Sequence, residues 1–504
     1  MLSLTFYNLS VRIETSDYIL LNHIREFLDK FYTSKSQGFN KAAGPEVRVY
    51  GSKLKDKPVY YLHTNQFIHL YHHLEKLGIT LKPDEKIDKR EYDVVETDFQ
   101  PREGWELRDN QKPISEFLLD NPVKSKLVPA QTGSGKTVLS LLTIAKIKQR
   151  LGIVILPTFI EKWAGDIATI HEARTDDVMI IQGSRALAAI IEMAKTDSLD
   201  NDYIIFSNRT LQEYINQYEE NPDLCVDMYG CAPIELFPLL GIGVMLIDES
   251  HMQFHSIFRI LIHTNVRFQI GLSATLLSDD HVVTRMHKIV YPNKCIYQGT
   301  ELDRYADVYA IAYTINETFM RFIKTKNYGS NAYSHIAFEQ SIIKRNDMLQ
   351  RYIRLIKCNI DDYYLEEYKE KDKLLIFVST INLATRLVDS LKSFYPDFKI
   401  RRYCEEDSYE DMLGGDIIVS TVLSAGTGLD IPHLRVCIQT VCISSQVSNI
   451  QSLGRLRKLS DRDVKFCYLY ANNIGKHKDY HMKRVELFKP RVANIAYRQS
   501  SASM

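Results

Sequence analysis

Residues 126–137 read K-L-V-P-A-Q-T-G-S-G-K-T, and this stretch limits the fold more than any other in the chain. An apolar run of strand length enters a loop with two glycines, and the loop ends in Gly135-Lys136-Thr137. Residues 138–150 then carry apolar side chains at helical spacing. Strand, glycine loop and helix in that order build a phosphate-binding loop. Glycines let backbone N–H groups close around phosphate oxygens with no Cβ in the way, and the helix N-terminus adds partial positive charge. Gln131, Thr132, Gly133, Ser134 and Gly135 therefore read as the cradle. Lys136 reads as the group that reaches the β- and γ-phosphates, and the Thr137 hydroxyl as a ligand to Mg²⁺. Ala130 stands where the G-x-x-x-x-G-K-[ST] pattern has its first glycine, and it is small enough to turn there.

Downstream, apolar runs of strand length recur at 153–156, 178–181, 203–206, 244–247 and 268–272, with helical patterns between most of them. This alternation predicts a parallel sheet covered on both faces. The pattern resumes at 374–378, 399–403, 417–420, 436–439 and 465–470, so a second sheet of the same kind is expected, without a glycine loop of its own. The length of 504 residues suggests about three domains at ~150 residues each. We expect a small α+β unit at 1–95 and a linker at 96–106. Two parallel-sheet domains follow at 107–304 and 305–490, with a tail at 491–504. Within the first unit, 47–50 and 59–63 read as a strand pair, and 18–31 and 66–77 as helices. Residues 305–373 carry no motif and read as the joint plus the opening helices of the second domain.

Several positions carry candidate chemistry. The run 244–247 ends in Asp248-Glu249-Ser250-His251, which delivers two carboxylates to the sheet edge where ligands bind. Asp248 suits Mg²⁺, and Glu249 suits orienting the water that attacks a γ-phosphate. Gln111, upstream of the loop, has an amide able to face an adenine edge. In the second sheet domain, Arg455 and Arg457 suit the charge that develops on a γ-phosphate. Between residues 35 and 57, Lys35, Lys41, Arg48, Lys53, Lys55 and Lys57 outnumber Glu46 and Asp56. That stretch is either a surface for a phosphate backbone or a solvated loop. Residues 214–238 are an insertion, either a strand-separating element or a loop.

Formal net charge is +0, so nucleic-acid binding has to come from local surfaces and not from overall charge. No two of the eight cysteines have C-x-x-C spacing, which points to buried free thiols in a reducing compartment. The first residues lack the pattern of a signal peptide, and the longest apolar run, 236–247, is too short for a bilayer. We expect a cytoplasmic protein, in a host cell if it is phage-encoded, with no membrane partner, and a monomer.

Taken in order, A-Q-T-G-S-G-K-T, L-P-T at 156–158 with the later Trp163, D-E-S-H, S-A-T at 273–275, T-V-L-S-A-G-T-G-L-D at 421–430 and Q-S-L-G-R-L-R at 451–457 resemble the motif series of superfamily 2 helicases. The D-E-x-H box and the L-R-x-x-Q stretch at 107–111 look like the group holding the UvsW-type phage branch-migration helicases and their functional analogue RecG. The resemblance implies two RecA-like lobes using ATP and Mg²⁺. Gly428 and Asp430 would join the nucleotide site, and Arg455 and Arg457 would act as fingers. Thr158, Thr275, Thr380 and Thr421 would touch a nucleic-acid backbone, reading no sequence. The implied activity is unwinding or branch migration of forks, Holliday junctions or R-loops in recombination, repair or replication. An RNA or RNA–DNA hybrid helicase, or a nucleotide-gated clamp that does not translocate, are the alternatives. Two positions depart from the pattern. Lys458 stands where the last arginine is usual, one place after Arg457, and Leu276-Leu277-Ser278-Asp279 replaces the Pro and Arg that often follow S-A-T. Arg457 is favoured as the second finger because its planar fork suits phosphate oxygens better than an ammonium does.

Overall fold

The computed structural model describes residues 1–37, 45–120, 124–129, 134–174, 177–250, 253–273, 281–299, 304–327, 332–404, 407–425 and 430–504. The chain divides into a first compact unit, spanning 1–130 and 134–300, and a second, spanning 301–504. The architecture is α/β: two tandem parallel-sheet domains preceded by a small α+β unit.

In the first unit the six-stranded sheet has the order Val178–Ile181, Tyr203–Ser207, Leu151–Ile155, Val244–Ile247, Phe268–Ser273, Ser125–Pro129, and every pairing is parallel. Its central strands are apolar throughout because both faces are covered. In Val244–Ile247, Met245 and Ile247 join one core while Val244 and Leu246 join the other. Side chains of a strand alternate, so these four residues tie both helical layers to one backbone.

The α+β unit is built on a five-stranded sheet ordered Ser52–Lys53, Val59–His63, Ser10–Thr15, Leu2–Phe6, Glu85–Asp88, in which only the last pairing is parallel. Helix Tyr18–Phe31 begins at Asp17, whose carboxylate accepts from the Ile19 and Leu20 N–H groups. The expected strand pair does not form. Val59–His63 pairs with Ser10–Thr15, and Pro45–Val49 pairs with Thr33–Gln37. The partner Thr33–Gln37 reads T-S-K-S-Q, which has no apolar alternation to announce it.

This unit is fused to the first parallel-sheet domain. Val11, Leu62 and Leu70 share one continuous core with Ile257, Phe258 and Met286. The Tyr50 ring meets Phe258 edge-on with centroids 5.3 Å apart. Residues 89–106, which include the linker expected at 96–106, are strapped along the domain by backbone bonds: Val95 N–H to Gly241 O, Arg150 N–H to Val95 O, Glu172 N–H to Gln100 O. Their charged side chains hide this, because the peptide groups make the attachment. The insertion forms helices Asn208–Glu220, Pro222–Tyr229 and Pro233–Leu239, whose Tyr214, Tyr218 and Phe237 are buried in that same shared core. Lys55 and Lys57 of the basic stretch form ion pairs with Glu220 and Asp223 of these helices.

The second unit holds a seven-stranded, all-parallel sheet ordered Ile400–Tyr403, Ile417–Thr421, Lys373–Val378, Leu434–Gln439, Val464–Ala471, Ala306–Tyr313, Asn494–Gln499. The expected tail, 491–504, contributes its last strand, and Met504 is fully buried. N-I-A-Y-R-Q is polar enough to read as a tail because it forms the sheet's edge, where one side meets solvent. Among the described residues no helix is long and apolar enough to cross a membrane.

Candidate nucleotide site and nucleic-acid-facing positions

The glycine loop ends where helix Lys136–Ile147 begins, and Gly135 caps that helix with φ +77°. The positive φ favours glycine, and a Cβ there would lie 2.8 Å from Gln111 Nε2 and displace that amide. Gln131, Thr132 and Gly133 lie outside the described residues. Gln111 is buried, and its amide braces the loop by donating to Ser134 O (3.1 Å) and Gly135 O (3.3 Å) while accepting the Arg108 N–H. The structure thus sets Gln111 beneath the loop as a strut. Ser134 Oγ is buried without a hydrogen-bond partner among the described residues, an unmet polar group at the place a phosphate oxygen would fill.

The two acids follow the fully buried strand Val244–Ile247 at its C-terminal end. Lys136 Nζ lies 3.0 Å from Glu249 Oε1, with both side chains mostly shielded. Glu249 has φ +47°, a left-handed conformation that costs a non-glycine residue of the order of 1 kcal/mol or more and recurs at functional sites. Asp248 Oδ2 accepts the indole N–H of Trp163 at 3.0 Å, and Oδ1 accepts the Glu249 N–H at 2.9 Å. Burial raises the Asp248 pKa above the ordinary carboxylate value and the Glu249 charge adds to this, while Lys136 and the indole oppose it. Thr137 is the second residue of the helix, half-buried. Lysine, hydroxyl, two carboxylates and a helix N-terminus make a donor set that fits a nucleoside triphosphate with a hard divalent cation.

The motif series includes Trp163 but assigns it no partner in the site. Ile160, Trp163, Ala164 and Ile167 form the buried stripe of helix Ile160–Ile170 and look like plain core. The available signal is that a buried indole N–H has to find an acceptor.

In the second unit Arg455 is 2% exposed, and its Nε donates to Gln451 O at 3.2 Å. Arg457 is more open and pairs with Asp430 at 3.5 Å. Two expected nucleotide residues, Arg457 and Asp430, are thereby brought together, while Gly428 lies outside the described residues. Thr158 is exposed on the turn Pro157–Phe159 after the strand Leu151–Ile155. Thr275 lies outside the described residues. The Thr380 hydroxyl donates to Glu339 Oε2 at 2.9 Å and accepts the Leu383 N–H as cap of helix Ile381–Phe394. Thr421 Oγ1 lies 2.8 Å from Ser424 Oγ and accepts the Ser424 N–H. Glu339 is fully buried, also accepts the Ser379 N–H at 2.6 Å, and is pushed up to about 8 by burial. A carboxyl inside the apolar run A-F-E-Q-S-I-I was the signal for it.

All eight cysteines are free. Among the described residues, His335, Cys442 and His477 gather with ligand atoms within 4.8 Å of one another. Hydrogen bonds account for this cluster. His477 Nδ1 accepts the Ala471 N–H, and His335 Nδ1 accepts the Cys442 N–H. The Tyr333 hydroxyl sits between the rings, 2.5 Å from His477 Nε2 and 2.7 Å from His335 Nδ1. Burial keeps both imidazoles neutral, with His477 lowered to about 3. Lone pairs engaged in this way are not available to a metal.

Residues 104–278 match the family model for the type III restriction enzyme res subunit. No curated protein matches the chain. Among solved structures, S. cerevisiae Dbp5 bound to RNA and ADP BeF3 is 13% identical with a TM-score of 0.50, covering 78% of this chain and 90% of that one. Mss116p bound to ssRNA and AMP-PNP is 17% identical with a TM-score of 0.48, covering 79% and 75%. T4 UvsW is 15% identical with a TM-score of 0.32, covering 99% of each chain. The Dbp5 likeness establishes the tandem RecA-like fold, and the res-subunit match supports an ATP-using, helicase-type protein. Motif series, first-lobe match and two-lobe fold are together similar to those of the superfamily 2 helicases.

Proposed function

We propose that the chain is an ATP-driven DNA helicase or translocase that unwinds or branch-migrates forked and four-way DNA. The observation that carries this reading is the Lys136–Glu249 pair at 3.0 Å, with Asp248 fixed beside it by Trp163. A lysine at a helix N-terminus and a carboxylate at a sheet edge are the two groups that γ-phosphate hydrolysis requires. Lys136 releases Glu249 to take the triphosphate, and the freed carboxylate orients the attacking water. Mg²⁺ held by Thr137 and Asp248 would neutralise charge on the phosphates. Arg455 and Arg457 would supply guanidinium charge for the γ-phosphate. Thr158, Thr275, Thr380 and Thr421 would supply hydroxyls to the sugar–phosphate backbone. In this reading the α+β unit, which shares a core with the first lobe, would hold the duplex beside the branch point.

Two measurements test this reading. ATP hydrolysis should rise with forked or four-way DNA more than with linear duplex, and strand separation should follow the same order. Equal unwinding of forked and plain duplex would remove the branch preference, and stimulation by RNA alone would move the substrate to RNA. The second concerns Trp163→Phe. Loss of a hydrogen bond to a charged acceptor costs about 1.5–3 kcal/mol. The Mg²⁺ needed for half-maximal hydrolysis should therefore rise by about tenfold or more. The indole N–H favours the ionised carboxylate, so its removal raises the Asp248 pKa further and moves the acid limb of the pH–rate profile to higher pH. An unchanged Mg²⁺ requirement would show that Trp163 only packs.

A further inference from the structure

The second unit holds a concavity outside the motif series, formed by residues 322–327 and by helix His335–Ile343 with the two residues that follow it. It encloses about 350 Å³ and is lined chiefly by Phe322, Lys324, Lys326, Gln340, Lys344 and Arg345, with no acidic side chain among its described lining. Lys324, Lys326, Gln340 and Lys344 are exposed. Arg345 pairs with Asp347 at 3.3 Å and lies over the Phe322 ring at 4.0 Å, and Arg321 lies over the same ring at 4.8 Å. Asp347 offsets Arg345, which leaves Lys324, Lys326 and Lys344 as a local excess of positive charge around one hollow in a chain of net charge +0, suited to an anion. The ring is occupied by guanidinium groups, so this hollow offers charge and no stacking platform for bases.

Its place in the fold says which anion. Strands Ala306–Tyr313, Lys373–Val378 and Ile417–Thr421 belong to one all-parallel sheet, so the chain leaving each of them emerges at the same sheet edge. Thr380 and Thr421 lie at that edge, and the hollow is built from the segment that follows Tyr313. Helix His335–Ile343 links them physically. It gives Gln340 and Ser341 to the hollow, while its Glu339 grips Ser379 N–H and the Thr380 hydroxyl.

We propose that this basic hollow binds the phosphodiester backbone of the nucleic-acid strand, extending the contact line at Thr380 and Thr421 along the second lobe. The proposal rests on the nucleic-acid reading given above. Contacts of this kind grip without reading sequence, and each neutralised phosphate adds to the salt dependence of binding.

The test is binding of a labelled single strand, DNA in one arm and RNA in the other, across a salt series. It compares the full chain with Lys324→Ala/Lys326→Ala/Lys344→Ala. All three lysines are exposed, so the fold and hydrolysis without nucleic acid should be unchanged. The slope of log affinity against log salt should become shallower by about 2, since each single-strand phosphate contact contributes roughly 0.7. Affinity at low salt should fall about tenfold or more in whichever arm binds. As a control, Lys369→Ala/Lys371→Ala, on the chain entering strand Lys373–Val378 at the opposite edge, should leave the slope alone. An unchanged slope in the triple variant, or an equal change in the control, overturns the site. If the unaltered chain bound neither strand, the nucleic-acid reading itself would fall, a result distinct from loss of the hollow alone.

Discussion

Glu249→Gln should stop steady-state ATP hydrolysis while leaving ATP bound at least as tightly as before. The two halves of this expectation come from one contact. Glu249 Oε1 holds Lys136 Nζ at 3.0 Å, so the acid and the phosphate-binding cation compete for each other. Glutamine keeps the size and the backbone position but carries no charge, and Lys136 then turns to phosphate without first breaking an ion pair. Water activation is lost for the same reason. General-base contributions of this kind are worth about 10²–10⁴ in rate, so turnover should fall by that factor while nucleotide affinity holds or rises. Lys136→Ala should instead lower affinity and rate together, because it removes the cation from both ground state and transition state. Nucleotide binding by equilibrium titration and phosphate release under saturating ATP separate the two variants. A Glu249→Gln protein that hydrolyses within about threefold of the unaltered rate would place the base elsewhere and remove the proposed chemistry.

The site and the body of the fold differ in how far they can be read from sequence. The sheets of both lobes are legible because their strands are buried on both faces: V-M-L-I and K-L-L-I-F-V have no other plausible place. Gly135, Lys136, Asp248 and Glu249 are legible because chemistry fixes residue type and order at once. What sequence hides is carried by polar groups doing structural work. Gln111 suits a base edge by composition, yet its donors and acceptor are taken by Ser134, Gly135 and Arg108. Glu339 and Trp163 sit on core stripes, where periodicity counts apolar surface and is blind to a single hydrogen bond. The strap at 89–106 attaches through peptide groups that every residue has, so no side-chain pattern betrays it. The fusion of the α+β unit to the first lobe was equally hidden, since apolar faces announce that they are covered but not by which partner.

That fusion has the second large consequence. Phe258→Ala should destabilise the α+β unit and the first lobe together, in one cooperative transition. Phe258 is fully buried in helix Phe254–Ile262, with the Tyr50 ring 5.3 Å away on the α+β side and the His63 ring 6.3 Å away. Truncating a buried phenylalanine costs about 3–5 kcal/mol, against a typical total of about 5–15 kcal/mol. Polar ties cross the same boundary and would be loosened with it. Asn265 Oδ1 accepts from Asn8 N–H and its side-chain amide, and His263 Nε2 lies 2.9 Å from Ser52 Oγ. An exposed pair such as Lys57–Asp223 is a fair control, since its loss should cost no more than about 1 kcal/mol. Urea unfolding followed by near-ultraviolet circular dichroism and by limited proteolysis should show both signals moving to lower denaturant together. Two separated transitions, with the first lobe unaffected, would mean that the α+β unit folds independently and merely rests on its neighbour. Because helix Phe254–Ile262 closely follows the Asp248-Glu249 turn in the chain, the same substitution should also lower hydrolysis at temperatures well below the transition. The α+β unit would then report to Glu249 through one helix and one shared core.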